Sequence, residues 1–241
     1  MSGVRKVGWW IADYAYAARW QLRAFLGRDD PRDFLEGDRV PILIIPGVYE
    51  PWRFMLPLIR DLHERGHPVH VIDPLRSNRV PVTEGARLVE DYLVARGLEE
   101  VTVVAHSKGG LIGKHVMVFG DETRRVRAMV AIAAPFGGSR YARYLLGPTL
   151  RSFSPRDATL ARLAGAAEAN HRIVSVFARF DPHIPEGSAL AGARNVRVET
   201  GGHFRILAHP RTISEVRAAC SRDRESGPDP ESGHSPGSGP L

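Results

Sequence analysis

The feature that most narrows what this chain can fold into is a repeated alternation of short apolar runs with helix-length segments. The runs cover residues 40–45, 69–72, 101–104, 127–133, 173–178 and 195–198, and each stops at a turn or a cluster of small residues. The first, Val40-Pro41-Ile42-Leu43-Ile44-Ile45, is stopped by Pro46-Gly47. Successive side chains on a strand point to opposite faces, so a run apolar at every position is a strand covered on both faces. Segments 52–64, 83–96, 110–118 and 212–220 have the length and pattern of the covering helices. The expectation is an α/β fold: a mostly parallel central sheet with helices on both faces.

A chain of 241 residues, 43% of them hydrophobic, suffices for one such domain. The expected organisation is a helical extension over 1–38 and an α/β domain over 39–220, the latter carrying a lid-like insert at 139–170. The insert presents Tyr141, Tyr144, Leu145, Leu146 and Phe153, and long inserts in compact domains commonly serve as lids or binding loops. The tail, 221–241, is rich in Ser, Gly, Pro and Asp without apolar periodicity and is expected to be disordered.

Residues 7–26 follow Arg5 and Lys6 and are rich in aromatic side chains. Asp13 breaks the apolar region that a signal peptide would need. As a helix, the segment gathers Ile11, Tyr14, Ala18, Leu22, Phe25 and Leu26 on one face, with Asp13 and Arg23 elsewhere. Aromatic stripes usually mean core, so this helix is expected to pack across the α/β domain, with peripheral contact to a membrane as the other reading.

The net charge of +6 comes almost wholly from arginine, since only Lys6, Lys108 and Lys114 are lysines. The cations are dispersed, with no run of five, which points away from nucleic acid. The lone Cys220 excludes an intrachain disulfide and a thiolate metal cluster. No apolar run is long enough to span a membrane, and the lone cysteine fits a reducing cytoplasm, with peripheral membrane contact through the N-terminal helix as the other reading; a monomer is expected.

The chemistry lies at the strand ends, where open α/β sheets bind ligands. Ala105-His106-Ser107-Lys108-Gly109-Gly110 follows an apolar strand and opens a helix. That is the context of a nucleophile elbow, with alanine at the first small position instead of glycine. A serine hydroxyl needs a base to take its proton and an acid to orient the base. Asp181 ends the fifth run and His203 the sixth, in the order serine, acid, histidine; His209 is the rival base. Backbone donors for an oxyanion are expected from Val48, in the loop Pro46-Gly47-Val48-Tyr49, and from Lys108 after the serine. The Lys108 side chain is expected at the surface or the pocket rim, and Tyr49, His106 and Phe136 beside the substrate.

These residues, with Ala133-Ala134-Pro135-Phe136-Gly137-Gly138-Ser139 and Gly202-His203-Phe204, resemble the bacterial lipase and GPI-inositol-deacylase-like branch of the α/β-hydrolases. The likeness covers about residues 41–219 and departs at Ala105 and at Pro46-Gly47. It implies hydrolysis of a small-molecule or lipid ester through an acyl-enzyme, without cofactor or metal. The same constellation serves acyl transfer and thioester or amide cleavage, and a fold can also persist as a binding module.

Overall fold

The computed structural model describes residues 3–120, 124–144 and 153–221. All six expected strands form: β1 (Ile42–Ile45), β2 (Val69–Val71), β3 (Val101–His106), β4 (Val126–Ile132), β5 (Ile173–Phe180) and β6 (Arg194–Gly201). They make one wholly parallel sheet in the order β2-β1-β3-β4-β5-β6. The chain leaves β1 toward β2, then returns across it to β3, so the sheet reverses direction between β1 and β3. Crevices open at the strand ends of such a switch point.

Each face has its own core, as the doubly apolar runs require. Leu43, Ile45, Val103, Ala105, Met129 and Ala131 point to one side. There they meet α3 (Val82–Ala95), α4 (Lys108–His115) and α5 (Ala158–Gly165). Ile42, Ile44, Val104, Val130 and Ile132 point to the other, against α2 (Leu56–His63) and α6 (Pro210–Ser221).

Register sets the site. Ile45 pairs with Ala105, which brings the loops after β1 and β3 to the same height. Phe180 pairs with Gly201, which does the same for the loops after β5 and β6.

Within segment 139–170, residues 158–170 are not part of a lid. Leu160 and Leu163 of α5, with Ala169, are buried in the core beside α4, so 158–170 serves as part of the crossover from β4 to β5. Asp157 starts α5 by accepting the N–H groups of Thr159 (2.9 Å) and Leu160 (3.2 Å). The crossover is hard to see beforehand because α5 is only 8 residues long. Leu145 and Leu146, the side chain of Tyr144 and residues 222–241 lie outside the described residues.

The N-terminal helix α1 (Gly3–Leu26) packs on the domain through the face opposite to the one expected. Asp13 and Ala24 are buried, and Tyr16, Ala17 and Trp20 lie against the second core cluster. Ile11, Tyr14, Leu22, Phe25 and Leu26 are exposed instead. A helical wheel ranks faces by hydrophobicity, but here the buried contact is built from aromatic rings around one carboxylate. No described helix is long and apolar enough to cross a membrane.

Candidate active site

Ser107 stands between β3 and α4 with φ 50° and ψ −119°, a conformation that costs a non-glycine residue of order 1–3 kcal/mol. It is held there because its N–H donates to Ile132 O (2.8 Å) and its carbonyl accepts from Gly110 N (3.0 Å). A Cβ on Gly109 would lie 2.2 Å from the carbonyl oxygen of Ile45, so α4 can start this close to β1 only with glycine there. Ala105, by contrast, lies in the extended backbone of β3, with its side chain in the core. Nothing at that position calls for glycine.

Two further strand-end residues converge on Ser107. His203 Nδ1–H donates to Asp181 Oδ2 at 2.7 Å, and Ser107 Oγ lies 3.0 Å from His203 Nε2. A carboxylate only accepts, so the ring proton belongs on Nδ1 and the Nε2 lone pair faces the serine hydroxyl. Asp181 is fixed through its other oxygen, which accepts the N–H groups of His183 (2.7 Å) and Ile184 (3.0 Å). Burial pushes the Asp181 carboxyl up, but the charge and hydrogen bond of His203 and the loop amides outweigh it and hold the group below its ordinary value. Burial likewise pushes His203 down, yet Asp181, Glu50 and Asp13 together raise its affinity for a proton. His209, the alternative base, sits at the start of α6, its Nδ1 accepting from Arg211 N–H (3.1 Å).

The amides expected to hold an oxyanion lie in the loop after β1 and at the start of α4. Gly47 N–H is taken by Glu50 Oε2 at 2.8 Å. The N–H groups of Val48 and Lys108 have no partner among the described residues, and Val48 lines the cavity above Ser107. That cavity is about 690 Å³ and mostly apolar. Its wall includes Tyr14, Val48, Tyr49, Phe54, Tyr141, Phe153, Ile184 and Phe204, with Ser107 and His203 at its base. Among the described residues, no group of His, Cys, Asp or Glu side chains is arranged to hold a metal.

Three expectations need correction. Lys108 is fully buried, not a rim cation: its Nζ donates to Asn78 O (3.0 Å) and to Val80 O. Asn78 Nδ2 in turn donates to Pro46 O (2.7 Å), so the lysine braces the loop that carries Val48. Burial lowers its pKa to about 8. His106 does not reach the cavity. As the last residue of β3 it points inward, with Nδ1 at 2.8 Å from Glu50 Oε2 and Nε2 at 3.0 Å from His203 O. Phe136 also faces inward, buried in the core, where the Lys114 ammonium lies 6.0 Å from its ring. Tyr49 does line the cavity, at a backbone φ of 62°.

Sequence reasoning missed the carboxylate of Asp13. It is 0% exposed and accepts three backbone N–H groups: His203 (2.8 Å), Phe204 (2.8 Å) and Arg205 (2.9 Å). Gly202, at φ 121°, makes this possible, since a Cβ there would lie 2.4 Å from Asp13 Oδ1. The signal in the sequence is a lone acid in an otherwise apolar stretch of helix. Glu50 and His183 were also missed. His183 packs beside His203 (ring centroids 4.9 Å) and lies 3.2 Å from the Tyr14 hydroxyl; burial and the neighbouring His203 lower it to about 4.

No family model matches the chain, and no curated protein matches it. Among solved structures, the mature lipase BlEst2 of Bacillus licheniformis aligns with a TM-score of 0.61 at 13% identity, over 80% of this chain and 94% of that one. An extracellular α/β-hydrolase from a Paenibacillus species aligns at 0.52 and 16% identity, over 76% and 100%. An α/β-hydrolase-fold protein of Burkholderia ambifaria gives 0.53 and 14%, over 76% and 91%. The chain has the α/β-hydrolase fold. Its likeness to these α/β-hydrolases covers 76–80% of the chain and does not single out the GPI-inositol-deacylase-like branch.

Proposed function

We propose that the protein is a serine hydrolase of carboxylic esters, with Ser107 as nucleophile, His203 as general base and acid, and Asp181 as the orienting carboxylate. The observation that carries this reading is the unbroken chain from Asp181 Oδ2 through His203 to Ser107 Oγ, at 2.7 Å and 3.0 Å, at the base of an apolar cavity.

In this reaction Ser107 Oγ attacks the acyl carbonyl as its proton passes to His203 Nε2. The Val48 and Lys108 amides receive the oxyanion, and the start of α4 adds favourable dipole. The intermediate collapses, and the departing alkoxide takes the proton from His203. Water then repeats the sequence on the acyl-enzyme and frees the acid. The size and apolar character of the cavity favour an acyl group of more than a few carbons.

A fluorophosphonate probe should label the protein once, on Ser107, and p-nitrophenyl esters of graded chain length should be hydrolysed. In Ser107→Ala, labelling should vanish and turnover should fall by about 10³-fold or more. An unlabelled Ser107 in folded protein would refute the assignment.

A further inference from the structure

We infer that the outer face of α1 is a docking surface for an anionic phospholipid bilayer, on which the helix lies flat with the cavity mouth beside it. Val7, Trp10, Ile11, Leu22, Phe25 and Leu26 all face solvent, Phe25 at 85% exposure, and Tyr14 joins them at the edge where its ring leans on Phe204. A contiguous apolar patch of this kind on a folded protein marks a contact surface.

The charges on the same helix indicate the occupant. The charged side chains of α1 are Arg5, Lys6, Asp13, Arg19 and Arg23, and Asp13 is turned inward and consumed by backbone amides. The exposed surface of the helix therefore carries only positive charge. None of the four cations has a carboxylate within ion-pair distance among the described residues. Arg5 lies over the Trp9 ring (4.6 Å), Lys6 over Phe180 (5.6 Å) and Arg23 over Trp20 (5.1 Å), so these cations rest on rings at the domain side of the helix and leave the apolar stripe uncovered. Aromatic and aliphatic residues on one side with arginine and lysine beside them suit the boundary between headgroups and acyl chains. A second copy of this chain suits it poorly, because face-to-face pairing brings the same four cations together.

The stripe is also continuous with the cavity. Tyr14 and Ala18 belong to both, and Tyr141 projects at the mouth. An acyl chain leaving the bilayer along α1 could enter the cavity without crossing water. This last point rests on the ester-hydrolase reading and narrows its substrate to membrane-borne esters; the docking surface itself does not depend on catalysis.

The test is co-sedimentation of full-length Ser107→Ala protein with vesicles of phosphatidylcholine alone or mixed with phosphatidylglycerol. We expect partitioning onto the mixed vesicles that weakens as salt is raised. Leu22→Asp and Phe25→Asp, both outside the cavity wall, should each lower it by about tenfold or more. Arg19→Glu with Arg23→Glu should lower it on the anionic vesicles. In Ser107-containing protein the Leu22 and Phe25 variants should turn over a short soluble ester as the parent does, which separates lost docking from lost folding. Equal binding to both vesicle types, binding unmoved by these substitutions, or loss of a concentration-dependent dimer in their place would overturn the proposal. If the parent turns over no ester yet binds as expected, the hydrolase reading fails and the surface stands.

Discussion

His203 is surrounded by the carboxylates of Asp181, Glu50 and Asp13, which hold its pKa above the ordinary 6.5 despite complete burial. General-base attack needs the neutral ring, so protonation removes activity as pH falls through that raised value. The profile of kcat/KM should show an acid limb with its midpoint above 6.5. Asp181→Asn should move this midpoint down and cut turnover by about 10³–10⁴-fold, as the ring loses both its charge partner and its tautomer. A parental midpoint below 6.5 would contradict the arrangement. Asp13 acts one step further back, through the backbone that carries His203. Asp13→Asn keeps the volume but leaves one oxygen for three donors, and an unsatisfied buried N–H costs about 1–3 kcal/mol. Thermal melts should fall accordingly. The value of kcat should drop with little change in KM, since Asp13 is not part of the cavity wall.

At the scale of elements, α1 is a working part of the site. It supplies Tyr14, Ala17, Ala18 and Gln21 to the cavity wall, and Gln21 Nε2–H also donates to Tyr49 O (3.2 Å) in the loop after β1. Removing residues 1–27 should therefore abolish turnover of short and long esters alike and lower the melting temperature. Loss confined to long-chain substrates would mean that the helix contributes only its outer face. The helix was visible in the sequence as a helix, but not by its contact face. An amphipathic pattern reports where apolar side chains cluster, whereas α1 has apolar side chains on both sides. The bury-or-expose choice falls to Asp13, which only the backbone of residues 203–205 can satisfy. The crossover over 158–170 was obscured in a similar way: α5 is short, and its neighbourhood reads as insert because the strands it joins are far apart in sequence.

For the molecule as a whole, the parallel order places the reversal between β1 and β3 and points all six strands the same way, so every catalytic candidate collects at their C-terminal ends. Six strands and the three residues Ser107, Asp181 and His203 were legible in the chain alone, because doubly apolar runs and the turns that end them are local properties. The same locality explains the readings that the structure reversed. Whether Lys108 reaches solvent depends on the loop at Asn78 and Val80. Whether His106 faces substrate depends on Glu50, and whether Phe136 does depends on its packing in the core. Sequence by itself determined which backbone segments are strands and which chemical groups stand at their ends. Only the tertiary structure decided which of those groups meet, which face of α1 turns inward, and where each buried charge finds its partner, because these depend on contacts between residues as far apart as Asp13 and His203.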